Sequence, residues 1–98
     1  MQASWDKNKE VQHHGEHHML NHKLCEHMKE ELEDIMEYHR LSEEAKEAGH
    51  EEVSEWLMRI AKDEYSHAKY LHEHLKKVGY PIPDEQEVEA KFYKIKQL

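Results

Sequence analysis

The stretch EEAKEAGHEEVSEW, residues 43–56, decides the fold. It joins two long tracts of helix formers, and within it only Gly49 punctuates the pattern. A glycine at that point ends a helix by taking the left-handed conformation that other residues avoid. The link that remains is too short for anything but an antiparallel return. The reading is a helical hairpin folded about Gly49.

Working outward, the upstream tract from about Leu20 to Ala48 repeats its apolar residues at intervals of three and four. Leu24, Met28, Ile35, Tyr38 and Ala45 line one face, with Leu20, Leu32 and Leu41 near its edge. The downstream tract, from about His50 to Val78, carries Val53, Leu57, Ile60, Leu71 and Val78 at heptad-like spacing. Trp56, Ala61, Ala68 and Leu75 broaden that face. Gly79 and the loop YPIP end the second helix. Asp84 with Glu87 three residues on reads as an N-cap and capping box, opening a short third helix with an apolar face of Val88, Phe92 and Ile95. So short a helix must dock to persist. No stretch alternates as a strand does, so the fold class is all-α. Residues 1–19 form a histidine-rich segment in which Ser4 is expected to cap a helix that frays at Gly15, and residues 20–98 form the hairpin with its C-terminal helix.

A chain of 98 residues makes one small domain, and with 37% apolar and 37% charged residues it gains from association. The net charge of −8 disfavours nucleic-acid backbones and anionic membrane surfaces and favours cations. Cys25 is the sole cysteine, which rules out an internal disulfide framework, and it reads as a small residue at the core edge. No apolar leader and no membrane-spanning run is evident, and a cytoplasmic location is expected.

Continuing the two apolar stripes without regard to residue type puts Glu31 in the gap between Met28 and Ile35, and Glu64 and His67 in the gap between Ile60 and Leu71. Glu31 lies 18 positions before Gly49, and Glu64 and His67 lie 15 and 18 after it. At about 1.5 Å of rise per residue, both sets sit roughly 25 Å from the turn and face each other. Buried carboxylates must be protonated, paired or metal-bound. The bland reading is a polar cluster that sets dimer register. The metal reading takes a Glu from one helix and Glu-x-x-His from the next as half of a carboxylate-bridged di-metal site. A second hairpin in a symmetric homodimer supplies the other half, making a four-helix bundle. Carboxylates with one imidazole per metal suit iron or manganese, with zinc also compatible. Glu-x-x-His alone is a weak signal. Three matches occur, but Glu10 with His13 lies in the N-terminal tract and Glu47 with His50 straddles the turn, so only Glu64 with His67 sits on a core face.

The segments EELEDIMEYH (residues 30–39) and KDEYSHAKYL (residues 62–71) resemble the two metal-binding helices of encapsulated ferritins and the rubrerythrin-related half-bundle proteins. The likeness covers about Lys29 to Leu75. It matches the family's first-helix Glu-Leu pair at Glu31 and Leu32, its following aromatic at Tyr38, and its Glu-x-x-His at Glu64 and His67, flanked by Asp63 and Ala68. The resemblance implies a ferroxidase centre formed on dimerisation, which oxidises Fe(II) to Fe(III) for iron storage or detoxification. It also implies Glu30 and Glu33 as collectors of incoming iron, higher ring-like assembly, and enclosure in an encapsulin shell. Glu37 stands where encapsulated ferritins often carry tryptophan, and the tail EVEAKFYKIKQL lacks a Gly-Ser-Leu-like targeting extension. Tyr38 is expected to pack in the core with its hydroxyl on a ligand carboxylate.

The alternative is a metal-binding module without redox turnover. Within HHGEHHMLNH (residues 13–22), His14, His18 and His22 recur at i and i+4, a spacing that puts imidazoles on one helical face and can grip nickel, zinc or copper.

Overall fold

The computed structural model describes the backbone of residues 2–98 and the side chains of residues 17–98. Three helices follow in order: α1 (Gln2–Glu47), α2 (Glu51–Lys77) and α3 (Glu85–Lys96). No strand occurs among the described residues, in agreement with the all-α reading. α1 passes through Gly15 without the expected fraying, since an interior glycine costs a helix only about 1 kcal/mol relative to alanine.

Both turns of the chain are made in the same way. Gly49 has φ +85°, its amide donates to the Lys46 carbonyl at 3.0 Å, and the His50 amide reaches back to Ala45 at 2.8 Å. Gly79 has φ +74°, with its amide on the Lys76 carbonyl at 3.1 Å and the Tyr80 amide on Leu75 at 2.9 Å. Each is a Schellman motif, in which two carbonyls orphaned at a helix end are satisfied by the residues that reverse the chain. Tyr80 also packs against the core that contains Leu75, the apolar contact that commonly seals this motif.

α1 and α2 pack along a seam of Asn21, Cys25, Met28, Leu32, Ile35 and Ser42 against Ser54, Leu57, Ala61, Ala68 and Leu75, all buried. This corrects the expected register of α2. Leu57, Ala61, Ala68 and Leu75 form the centre of its buried face, whereas Val53 and Val78 are about half exposed (47% and 50%) and Trp56 is exposed. The seam mixes large residues (Met28, Leu32, Ile35, Leu57, Leu75) with the small Ala61 and Ala68, and Val53, Trp56 and Val78 fall outside it. Near the turn, the Ser42 hydroxyl donates to the Ser54 carbonyl at 2.9 Å and pairs with the Ser54 hydroxyl at 2.8 Å. That buried pair fixes the helices' relative register. At the far end of the hairpin, His74 Nε2 meets Asn21 Oδ1 at 3.3 Å.

α3 lies across one face of the hairpin. Val88 and Ile95 are buried, Phe92 packs against the same cluster, and Lys91 donates to Glu33 on α1 at 2.6 Å. The expected apolar face of α3 is therefore the one that docks. Its expected capping box does not form. Asp84 sits at the N-cap in a left-handed conformation (φ 57°, ψ 41°) and its carboxylate makes no cap hydrogen bond. The sharp entry from the Pro81–Pro83 loop sets that backbone geometry, which turns the side chain away from the helix amides.

Asp84→Gly should therefore stabilise the protein. Relief of a left-handed non-glycine residue is worth up to about 1 kcal/mol, against a few tenths for the weaker cap. A rise in the thermal midpoint is expected; a fall would mean that the carboxylate caps α3 after all.

Candidate metal centre

Among the described residues, no other element packs on the face of the hairpin opposite α3. Reading along α1, it carries Leu20, Leu24, Glu31, Tyr38 and Leu41. Along α2 it carries Val53, Trp56, Ile60, Glu64, His67, Leu71 and Val78. Leu20, Leu41, Val53, Trp56 and Val78 are exposed and the other apolar members are half-buried. An apolar stripe of that length on both helices of a small protein marks an interaction surface.

Glu31, Glu64 and His67 lie together in the middle of this face. Each offers one ligand atom, and the three atoms are all within 4.8 Å of one another. His67 Nδ1 stands 3.7 Å from Glu31 Oε2 and 3.9 Å from Glu64 Oε1. The levelling computed from the distance to Gly49 thus brings the intended residues together. Their burial differs from expectation: Glu31 is buried (5% exposed), but Glu64 is partly open and His67 is exposed in the single chain. Only Glu31 occupies a core position in one chain, because the rotation of the α2 seam carries Glu64 and His67 to the flank.

Glu31 is buried at the centre of this group. Its Oε1 is buried and has no hydrogen-bond partner. Burial pushes its carboxyl above the ordinary value, with the nearby Glu64 and Asp34 charges adding to the shift and His27 and His67 opposing it. His27 is not among the residues of either apolar stripe. Its Nε2 lies 3.7 Å from Glu31 Oε2, one helical turn before it, so two imidazoles flank one buried carboxylate. The i and i+4 spacing of His27 and Glu31 was the available signal.

The remaining expected participants distribute as follows. Tyr38 packs half-buried against the core, but among the described residues no hydrogen bond joins it to Glu31 or Glu64. Glu30 is exposed on α1. Glu33 points to the α3 face and is held by Lys91, whose hydrogen bond and charge lower its carboxyl below the ordinary range. It serves α3 docking and lies on the wrong face to feed Glu31. His14 lies outside the described side chains. His18 and His22 both turn to Tyr80: the His18 ring sits 5.7 Å from the tyrosine ring, and His22 Nδ1 is 3.3 Å from its hydroxyl. Cys25 is buried, and burial raises its thiol, which makes it an inert core residue.

No protein-family model matches the chain, and no curated protein or solved structure matches it significantly. Among the described residues, no helix is long and apolar enough to cross a membrane. What defines the molecule is a helical hairpin with a mixed carboxylate and imidazole cluster on an open apolar face.

The raised Glu31 carboxyl has a measurable consequence in protein stripped of metal. Below the ordinary carboxylate value of 4.5, Glu31 is protonated whether the chain is folded or not, and it costs the fold nothing. As pH rises through and above that value, the unfolded chain ionises more readily than the folded one, and stability is lost. Glu31→Gln should therefore raise the thermal midpoint of the stripped protein at pH 7, and the difference from the unaltered chain should shrink as pH falls through the carboxylate range. An equal effect at pH 4 and pH 7 would exclude an electrostatic origin.

Proposed function

We propose that the chain is a ferroxidase that pairs with a second copy of itself and oxidises Fe(II) at a di-iron centre shared across the homodimer interface, in iron storage or detoxification. The observation that carries this reading is the convergence of Glu31, Glu64 and His67 within 4.8 Å at the centre of an otherwise apolar open face. Three protein ligands cannot enclose two metals, and two copies of the cluster can. The resemblance of residues 30–39 and 62–71 to half-bundle ferritin-like proteins supports the same assignment.

The residues fit such a centre. Glu31 Oε1 is a buried acceptor with no hydrogen-bond partner, and burial holds its carboxyl above the ordinary value, a cost that a bound cation would offset. In the dimer, Glu31 and Glu64 would hold the metals and offset their charge, and His67 would bind one metal per subunit through a nitrogen that must be unprotonated. Two Fe(II) held there as substrate would give one electron each to dioxygen, which with two protons would become hydrogen peroxide. Manganese or zinc fits the same donors without that turnover. His27, outside the three-atom cluster, adds a second imidazole beside that carboxylate, with its Nε2 3.7 Å from Glu31 Oε2.

The second copy is required by the surface as much as by the ligands. Docking two open faces about a two-fold axis covers Leu20, Leu41, Val53, Trp56 and Val78 with their own counterparts and makes the four-helix bundle. It also takes Glu64 and His67 out of water, so that the centre becomes the dry interior its chemistry needs.

Aerobic Fe(II) oxidation, followed by ferric absorbance, tests the reading with two variants. Glu64→Ala removes a ligand and should reduce the initial rate by about 100-fold or more, in the range of losing an essential catalytic group. Ile60→Arg leaves all three ligands in place and touches the open face alone, since Ile60 is not part of the chain's core cluster. It should yield a helical monomer with the same loss of activity. Full activity in an Ile60→Arg monomer would contradict a shared centre. Iron or nickel binding that survives Glu64→Ala but vanishes when residues 1–19 are removed would assign metal binding to the histidine tract.

A further inference from the structure

A second group of metal-ligating side chains stands on the other face of the hairpin, where α3 begins. His72 of α2 and Glu85 and Glu89 of α3 each present one ligand atom, all within 4.8 Å of one another. His72 Nε2 lies 3.2 Å from Glu85 Oε1. The other oxygen of that carboxylate, Oε2, is buried and has no hydrogen-bond partner. A carboxylate oxygen withdrawn from water with nothing to donate to it is costly, and native proteins meet that cost with a donor, a water or an ion.

The surroundings of this group hold it in place. The His72 ring is mostly buried and stacks on Phe92 at 4.9 Å with a tilt of 36°, while Phe92 meets Tyr65 edge-on at 6.0 Å. The imidazole is thus fixed by packing independently of its contact with Glu85. Glu85 and Glu89 are one helical turn apart, so their carboxylates project to the same side of α3. Lys76 Nζ is 3.7 Å from Glu89 Oε1, an exposed pair of the kind that contributes little and exchanges readily.

We propose that His72, Glu85 and Glu89 form a divalent-cation site that clamps the first turns of α3 to α2. One imidazole with two carboxylates suits zinc, manganese or ferrous iron, with water completing the coordination. The cation takes the place of the His72 to Glu85 hydrogen bond, satisfies Glu85, and displaces Lys76 from Glu89. The site stands apart from the Glu31 cluster and does not depend on the ferroxidase reading.

Zinc titration by calorimetry tests this in the full chain carrying Glu64→Ala, which removes a ligand of the other centre. One zinc per chain is expected at this site. Adding Glu85→Gln, nearly isosteric, should weaken it by at least about tenfold, whereas adding Lys76→Met should tighten it by removing the competing cation. Zinc should shift the His72 ring resonances in the Glu64→Ala protein itself, a readout that needs no second variant to fold. Uptake unchanged by Glu85→Gln, or His72 resonances that do not move, would overturn the proposal and leave the histidine tract as the zinc ligand.

Discussion

The Glu31 carboxylate organises the account. It is buried on the side of a hairpin that has no other cover, with one oxygen lacking any partner and the other between two imidazoles. Nothing in hydrophobic packing explains a charge there, because an isosteric apolar residue would remove the cost of burial. The proposed cation and second copy would meet that cost, and the second copy would also cover the large apolar residues of α2 that face water in the single chain.

The two faces of the hairpin divide the work. On one, α3 docks through Val88, Phe92 and Ile95, with the Glu33 to Lys91 pair at its edge. On the other, the stripe from Leu20 to Val78 is open, the surface on which the proposed second copy would dock. The seam between α1 and α2 combines Met28, Leu32, Ile35, Leu57 and Leu75 with the small Ala61 and Ala68 and the Ser42 to Ser54 hydrogen bonds. Val53 and Trp56 lie outside it and are exposed. Schellman turns at Gly49 and Gly79 hold each helix end to its length.

The hairpin was legible because glycine in a left-handed turn is a local property, and so was the level at which Glu31, Glu64 and His67 meet, because helical rise is constant. The rotation of α2 was not. A stripe with a strong heptad signal reads as the buried face, but here Leu57, Ala61, Ala68 and Leu75 are buried while Val53, Trp56 and Val78 stay exposed. Glu33 lies two residues after Glu31, about 200° round the helix, so its place on the other side of α1 was legible in the spacing itself. The backbone at Asp84 defeated the capping-box pattern, and the meeting of His72 with Glu85 and Glu89 follows from where α3 lands, which no spacing within one helix records.

A native mass spectrum taken after anaerobic addition of Fe(II) tests the central claim most directly, since it reports subunit count and bound metal together. The account predicts dimers carrying two irons, and a shift toward monomer when the metal is removed. Iron bound to monomers, or dimers that take up no iron, would contradict a centre shared between two copies of the chain.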